Sequence, residues 1–168
     1  MNTSKTIVLT ICATITLAIS LMVIQLLLRK VKNKAELDGK LKLSYSVWFI
    51  MLFIAIIINA VKTISLLSEA LDNIYKSNST NLAWEVTKIS SLFIGLSIAW
   101  FLVWYLVANF ISITIIGKRK MAYEIESNNT TYFLLKGAIV IGFIICLAPV
   151  CETILRVFMP SVQLPFYH

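Results

Sequence analysis

Polar and charged side chains interrupt long apolar stretches of this chain, and five of them could carry chemistry. They are Asn59, Lys62, Asn109, Glu152 and Arg156. A charge at the centre of a bilayer costs about 2.5–3.5 kcal/mol on insertion scales, so such residues are kept where they find a partner or line a water-filled path. We therefore treat these five as candidates for an intramembrane polar or ion-pair site, whose chemistry would be charge pairing or ion conduction.

The spacing of these residues leaves two arrangements open. Lys62 and Glu152 lie at similar depth in the second and fourth apolar stretches, so an ion pair can form if those two helices touch. In the other arrangement, Glu152 pairs with Arg156 four residues later, and the Lys62 side chain reaches out to the headgroups. Asn59, three residues before Lys62, shares its helix face, and Asn109 either donates a hydrogen bond to a neighbouring helix or lines a pore.

Four apolar stretches must position these residues, and each is long enough to cross a membrane. An apolar helix of about 20 residues spans a hydrocarbon core about 30 Å thick. The whole chain of 168 residues is 59% hydrophobic and only 14% charged. The sequence predicts a single all-α membrane domain over residues 1–168, an integral membrane four-helix bundle with helices at about 6–28, 44–67, 89–116 and 134–157.

Basic residues cluster in two short connections and predict the orientation of the bundle. They follow the first and third helices, whereas the middle interval, 68–88, carries a mixture of charges. By the positive-inside rule the two basic connections are cytoplasmic and both termini face outward, an N-out/C-out topology. The same cluster could hold anionic lipid headgroups, although topology is a sufficient explanation. Its members are Arg29, Lys30, Lys32, Lys34, Lys40, Lys42, Lys118, Arg119 and Lys120.

Several classes of function are excluded by composition. The single histidine is His168, so the chain has no histidine-based metal cluster and no Ser-His-Asp triad. No glycine-rich phosphate loop occurs, and we expect no enzymatic activity, no cofactor and no bound metal. The formal net charge of +7 lies next to the predicted membrane, which argues against nucleic acid as a partner.

The first helix contains two series of small residues at four-residue spacing. One series is Thr6, Thr10, Thr14 and Ala18, and the other is Cys12, Thr16 and Ser20. Such spacing lets helices approach closely inside lipid, either within one bundle or between the subunits of an oligomer. Elsewhere, Trp48 lies just inside the second predicted helix and Trp84 just before the third, which places them near opposite water interfaces, where amphipathic rings are favoured.

These observations lead to two functional hypotheses. The first is a non-enzymatic integral membrane subunit that acts through homo-oligomerisation or as part of a larger membrane complex. The second is a small oligomeric ion channel or transporter that uses the polar residues of helices two and four. Since no organelle address is recognisable, we expect the lipid bilayer around the protein to be a bacterial inner membrane.

Overall fold

Four long helices make up most of the protein, and all four are long and apolar enough to span a membrane. The computed structural model describes residues 3–37, 40–77 and 81–160. The elements are α1 (Thr3–Lys32), β1 (Glu36–Leu37), β2 (Lys40–Leu41), α2 (Leu43–Lys76), α3 (Leu82–Ile116), α4 (Met121–Glu126) and α5 (Thr130–Val157). The predicted all-α four-helix membrane bundle is confirmed, and the chain is a multi-pass membrane protein.

The helices are longer than their apolar stretches, so the predicted boundaries were too narrow. The largest difference is the interval 68–88, predicted as a polar connection, because α2 continues to Lys76 and α3 already begins at Leu82. The apolar side chains Leu71 and Ile74 continue the buried stripe of α2 past the predicted end at residue 67. Packing on that stripe keeps these last turns helical, although hydropathy alone ends the span earlier.

The two connections that carry most of the basic residues also contain short elements that were not predicted. Strands β1 and β2 pair antiparallel, with Glu36 opposite Leu41. The turn expected at Gly39 lies outside the described residues. The single-turn helix α4 lies between α3 and α5, and its Ile125 is fully buried.

Helix α2 is the centre of the bundle. It packs against α1, α3 and α5, and its contact with α5 is the most extensive in the molecule. The helices joined by the two short basic connections pack against each other, α1 on α2 and α3 on α5. Helix α1 is peripheral, because it packs mainly on α2 and makes much less contact with α3.

Large side chains fill the interior at both ends of the bundle. One group of buried side chains includes Trp48, Phe101 and Phe133, and a second group, nearer the chain termini, is built around Leu71 and Phe93. Protein interiors are packed about as densely as organic crystals, so such a core leaves little free space.

Both basic connections lie at the same end of the bundle, which we call the basic end. The end that holds the carboxyl terminus of α2 and the amino terminus of α1 is called the termini end. An ion pair between Lys5 and Asp72, 2.6 Å from Nζ to Oδ2, joins these two helices there. The positive-inside rule predicts that both basic connections lie on one side of the membrane, and the fold brings them to one end of the bundle.

Candidate functional site

A buried polar cluster joins α2 to α3 near the middle of the bundle. The side-chain amide of Asn59 donates to the backbone carbonyl and to the hydroxyl of Ser97, at 2.8 Å in each case. The hydroxyl of Thr63 donates to the Asn59 carbonyl at 3.0 Å and lies 2.9 Å from the Ser97 hydroxyl. The amide therefore ties two helices together, and the pore-lining role of Asn59 stays a prediction.

Lys62 and Glu152 are not brought together, although α2 and α5 do touch. Lys62 lies on the exposed side of α2, and its ammonium makes no ion pair with any residue that the structure describes. Glu152 instead accepts hydrogen bonds from Arg156, at 3.2 Å from Nε and 3.0 Å from Nη2. The structure thus has the local helical pair, one of the two arrangements that the spacing allowed.

Arg156 also bridges α5 to α2. Its Nη1 donates to Oε1 of Glu69 at 3.1 Å, so two carboxylates share one guanidinium. All three side chains are substantially accessible at the termini end. Exposed pairs of this kind contribute little individually, but a network fixes the relative height of the two helices.

Asn109 is half-buried on α3. Its side chain forms no hydrogen bond with the residues that the structure describes. An interhelical hydrogen bond, one of the two roles considered for Asn109, is therefore not found among them, and the pore-lining role stays a prediction.

At the basic end, the two connections are joined through Glu126 of α4. The ammonium of Lys34 lies 2.8 Å from Glu126 Oε2, and Lys42 donates to the Glu126 carbonyl oxygen at 3.2 Å. The hydrogen bond and charge of Lys34 lower the pKa of the Glu126 carboxyl below its usual value of 4.5. Two of the basic residues thus join the first basic connection to α4.

The turn before α5 reinforces this junction. Asn128 has a positive φ of 54°, a conformation that asparagine adopts more readily than most residues. From that position its Oδ1 accepts a hydrogen bond from the Ser44 backbone N–H at 2.9 Å. This N–H lies in the first turn of α2, where no intrahelical acceptor exists, so the second basic connection caps the helix that follows the first.

A buried carboxylate completes the basic end. Glu124 accepts a hydrogen bond from Asn129 Nδ2 at 2.6 Å, and its other oxygen lies 3.3 Å from Arg119 Nη1. Asn129 also caps α5 by accepting from the Tyr132 backbone N–H at 3.2 Å. The buried charge of Glu124 is thereby paired and hydrogen-bonded, as such groups must be.

Lys136 is the charged residue that sequence reasoning missed. It lies on α5 and is only 3% exposed, with its ammonium 5.5 Å from the ring centroid of Trp48 and 5.8 Å from that of Tyr132. No carboxylate among the described residues pairs with it. The available signal was its position just inside the predicted span 134–157, where a lysine is costly.

Trp48 lies inside the bundle, and its expected position near a water interface stays a prediction. It is fully buried, packs against Phe133 at a centroid distance of 5.7 Å, and its indole N–H has no partner in the described part of the chain. The other tryptophan expected at an interface, Trp84, is 69% exposed. Lys136 therefore meets a buried indole, and a cation over such a ring is stabilised by about 2 kcal/mol when desolvated.

The remaining basic residues face outward. Lys30 and Lys40 are exposed, while Lys118, Arg119 and Lys120 line a shallow cavity of about 340 Å³ with Tyr123 and Glu124. Arg29 and Lys32 line a separate groove between α1 and α2. Lipid binding by these residues and their role in topology stay predictions.

The two small-residue series of α1 face in different directions. Cys12, Thr16 and Ser20 are buried within the bundle. The second series, which we call the outer stripe, is exposed along its whole length and consists of Thr6, Thr10, Thr14 and Ala18. One series thus serves packing inside the protomer, and the outer stripe has no partner within the described protomer.

No family model matches this sequence, and neither the curated proteins nor the solved structures contain a match.

Proposed function

We propose that this protein is a non-enzymatic subunit of a membrane assembly and that it associates, with a second copy or with another membrane protein, through α1. The observation that carries the proposal is the exposure of the outer stripe of α1. Its threonines and alanine keep one side of the helix narrow, and helix association in lipid depends on such close approach.

The chemistry of the outer stripe suits helix packing. The hydroxyl of Thr10 donates to the Thr6 carbonyl and that of Thr14 to the Thr10 carbonyl, at 2.9 Å in each case. These hydroxyls therefore need no partner from a second helix, and an apolar neighbour can pack over their methyl groups. Exposed Ile7 and Ile11 flank the stripe and would provide the raised edges of the contact.

The filled interior supports a structural role. Where a transporter would need a path for its substrate, this protomer has large aromatic side chains and hydrogen-bonded polar groups. The buried amide of Asn59 is used to join two helices. A role through surfaces, rather than through an internal site, accounts for these features with the fewest additional assumptions.

The test is to change the width of the stripe and count subunits. In Thr10→Ile/Thr14→Ile, both side chains stay β-branched, but added bulk blocks close approach. Thr87→Ile/Thr153→Ile is the matched control, since both threonines are exposed and make the same bond to the carbonyl four residues earlier. We expect the Thr10→Ile/Thr14→Ile complex to dissociate and the Thr87→Ile/Thr153→Ile complex to stay assembled.

The readout is the mass of the complex extracted in mild detergent, together with single-molecule photobleaching of the purified protein in lipid nanodiscs. Several bleaching steps with no other protein present would identify a homo-oligomer, and stoichiometric recovery of another protein would identify a larger complex. A wild-type protein recovered as one copy without companions would refute the proposal.

A small oligomeric channel is the second candidate, and Lys62 favours it. Lys62 lies seven residues before Glu69 on α2, which places it about 10.5 Å deeper than the charges of the termini end. An exposed lysine at that depth is costly against lipid but acceptable against the lumen of an oligomer. Several protomers would be required, because the interior of one protomer is filled.

Ion flux into liposomes tests the channel directly. Lys62→Leu should abolish flux while leaving assembly intact, and Lys88→Leu, at an exposed lysine near the start of α3, is the control. Unchanged flux in Lys62→Leu would remove Lys62 from conduction, and a wild-type protein without flux would reject the channel.

We place the assembly in a bacterial inner membrane with the basic end in the cytoplasm. The clustering of basic residues at that end supports this orientation. Reporter domains fused at 40 and at 78 should lie on opposite sides of the membrane, and a reversed result would overturn it.

A further inference from the structure

A groove runs along the outside of the bundle between α1 and α2 at the basic end. Its volume is about 710 Å³, within the range of small-molecule sites. Helix α1 contributes Met22, Gln25, Leu26, Arg29 and Lys32, and the wall opposite is formed by residues between Leu41 and Ile50.

The polarity of the groove changes along its length. Toward the middle of the bundle its walls are apolar, with Met22 and Leu26 more than 60% exposed and Ile50 beside them. Toward the basic end, Arg29 and Lys32 provide two positive charges. Met22 and Lys32 are ten residues apart, so this change takes place over about 15 Å of helix.

Among the described residues, no carboxylate pairs with the two cations of the groove. Neither Arg29 nor Lys32 makes an ion pair with a residue that the structure describes, whereas Lys34 and Lys42 in the same connection bind Glu126. Setting the topology does not require any particular placement of charge around a groove. Arg29 and Lys32 therefore lie beside an apolar groove without an ion-pair partner among the described residues, whereas Lys34 and Lys42 join the two connections.

We propose that this groove binds an anionic phospholipid from the surrounding leaflet. The phosphate would lie between Arg29 and Lys32, and one acyl chain would lie against Met22, Leu26 and Ile50. A phospholipid has this same order of charge and hydrocarbon along its length, and basic pockets between membrane helices bind anionic headgroups. Met22 and Leu26 continue the four-residue spacing of the outer stripe, so the groove adjoins that face of α1. The lipid proposal requires neither an oligomer nor conduction through Lys62.

The first experiment titrates the full-length detergent-solubilised protein with phosphatidylglycerol and counts bound lipids by native mass spectrometry. Phosphatidylcholine and soluble glycerol phosphate are the comparison ligands. The double variant Arg29→Gln/Lys32→Gln is compared with Lys30→Gln/Lys40→Gln, which removes the same charge from the same connection but from residues outside the groove. We expect roughly 30-fold weaker binding of phosphatidylglycerol in the first variant and no change in the second.

Equal affinity for the two lipids, or equal loss in the two double variants, would overturn the proposal. Competition by glycerol phosphate at the affinity of the lipid would also overturn it, because the apolar wall would then have no part in binding.

A measurement on the wild-type protein keeps the proposal testable if a variant does not fold. Phosphatidylglycerol with a photoreactive acyl chain should label the peptides that contain Met22 to Leu26 and Ile50. Leu106 and Phe110, exposed by 64% and 72% on α3, report ordinary lipid contact. Preferential labelling of the groove supports the site, and equal labelling of both surfaces refutes it.

Discussion

Replacing Gly137 by alanine is expected to push α2 and α5 apart. A methyl group at this position would lie 2.5 Å from both Cβ and Cγ of Met51. Non-bonded carbon atoms prefer separations of about 3.5–4.0 Å, so the contact would be too short by about 1 Å or more. Rotation of the methionine side chain does not move its Cβ. The helix backbones themselves must therefore separate, at the most extensive contact of the bundle.

Gly142 on the same helix is the matched control, because an added methyl group there meets nothing within 4 Å. In both variants alanine favours the helix over glycine by about 1 kcal/mol, and this gain cancels in the comparison. Overpacking costs about 1–3 kcal/mol. We therefore expect Gly137→Ala to be less stable than Gly142→Ala by about 1–3 kcal/mol.

Reversible unfolding in mixed micelles, with a rising fraction of sodium dodecyl sulfate and tryptophan fluorescence as the signal, measures this difference. Met51→Ala removes the Cγ and Sδ contacts but keeps Cβ, so in a double-mutant cycle it should rescue Gly137→Ala only in part. If the two alanine variants unfold at the same detergent fraction, the close approach of α2 and α5 is not as described, and the reasoning fails.

Three further predictions concern polar groups. Asn59→Leu should lower the free energy of unfolding by about 1 kcal/mol. In a double-mutant cycle of micelle unfolding it should couple to Ser97→Ala, and additive losses would exclude the bond between the Asn59 amide and the Ser97 hydroxyl. Because Lys34 lowers the pKa of Glu126, the ionised carboxylate stabilises the folded protein fully above about pH 4.5, and this stabilisation is lost as the pH falls through the lowered pKa. Hydrogen exchange at the basic end should become faster over that pH range, and Glu126→Gln should remove this pH dependence. Lys136→Met should stabilise the bundle by about 1 kcal/mol or more, since desolvating a charge costs several kcal/mol and a cation–π contact returns about 2; a lower unfolding midpoint would contradict this.

The sequence was sufficient for the number of spans because hydrophobic burial in a bilayer is decided residue by residue along one helix. It was also sufficient for placing both basic connections at one end, since four spans joined in succession must alternate in direction. The pair Glu152–Arg156 could be predicted from the sequence because both residues belong to one helix. The additional bond from Arg156 to Glu69 depends on how α2 and α5 pack.

Helix ends and short elements were harder to predict from the sequence, because they depend on contacts between residues that are far apart in the chain. The last turns of α2 are held by the core around Leu71 and Phe93, beyond the point where hydropathy falls. The short helix α4 is held by burial of Ile125 and by the bonds of Glu124 and Glu126. The contacts of α4 have no local signal in the sequence, whereas the apolar pattern of α2 can be followed in the sequence through Leu71 and Ile74.

The two small-residue series of α1 show where sequence information stops. Thr10 and Thr16 belong to series with the same spacing, but one lies on the outer stripe and the other faces the interior. Lys136 is similar, because only the approach of Trp48 from α2 turns an ordinary lysine near a helix start into a buried cation. Which segments enter the membrane, and that the basic residues lie together at one end of the bundle, could be predicted from the order of residues alone. Both follow from the local hydration free energies of the side chains. The tertiary structure decided which face of each helix is covered and which charges find partners, because those depend on the packing of helices far apart in the chain.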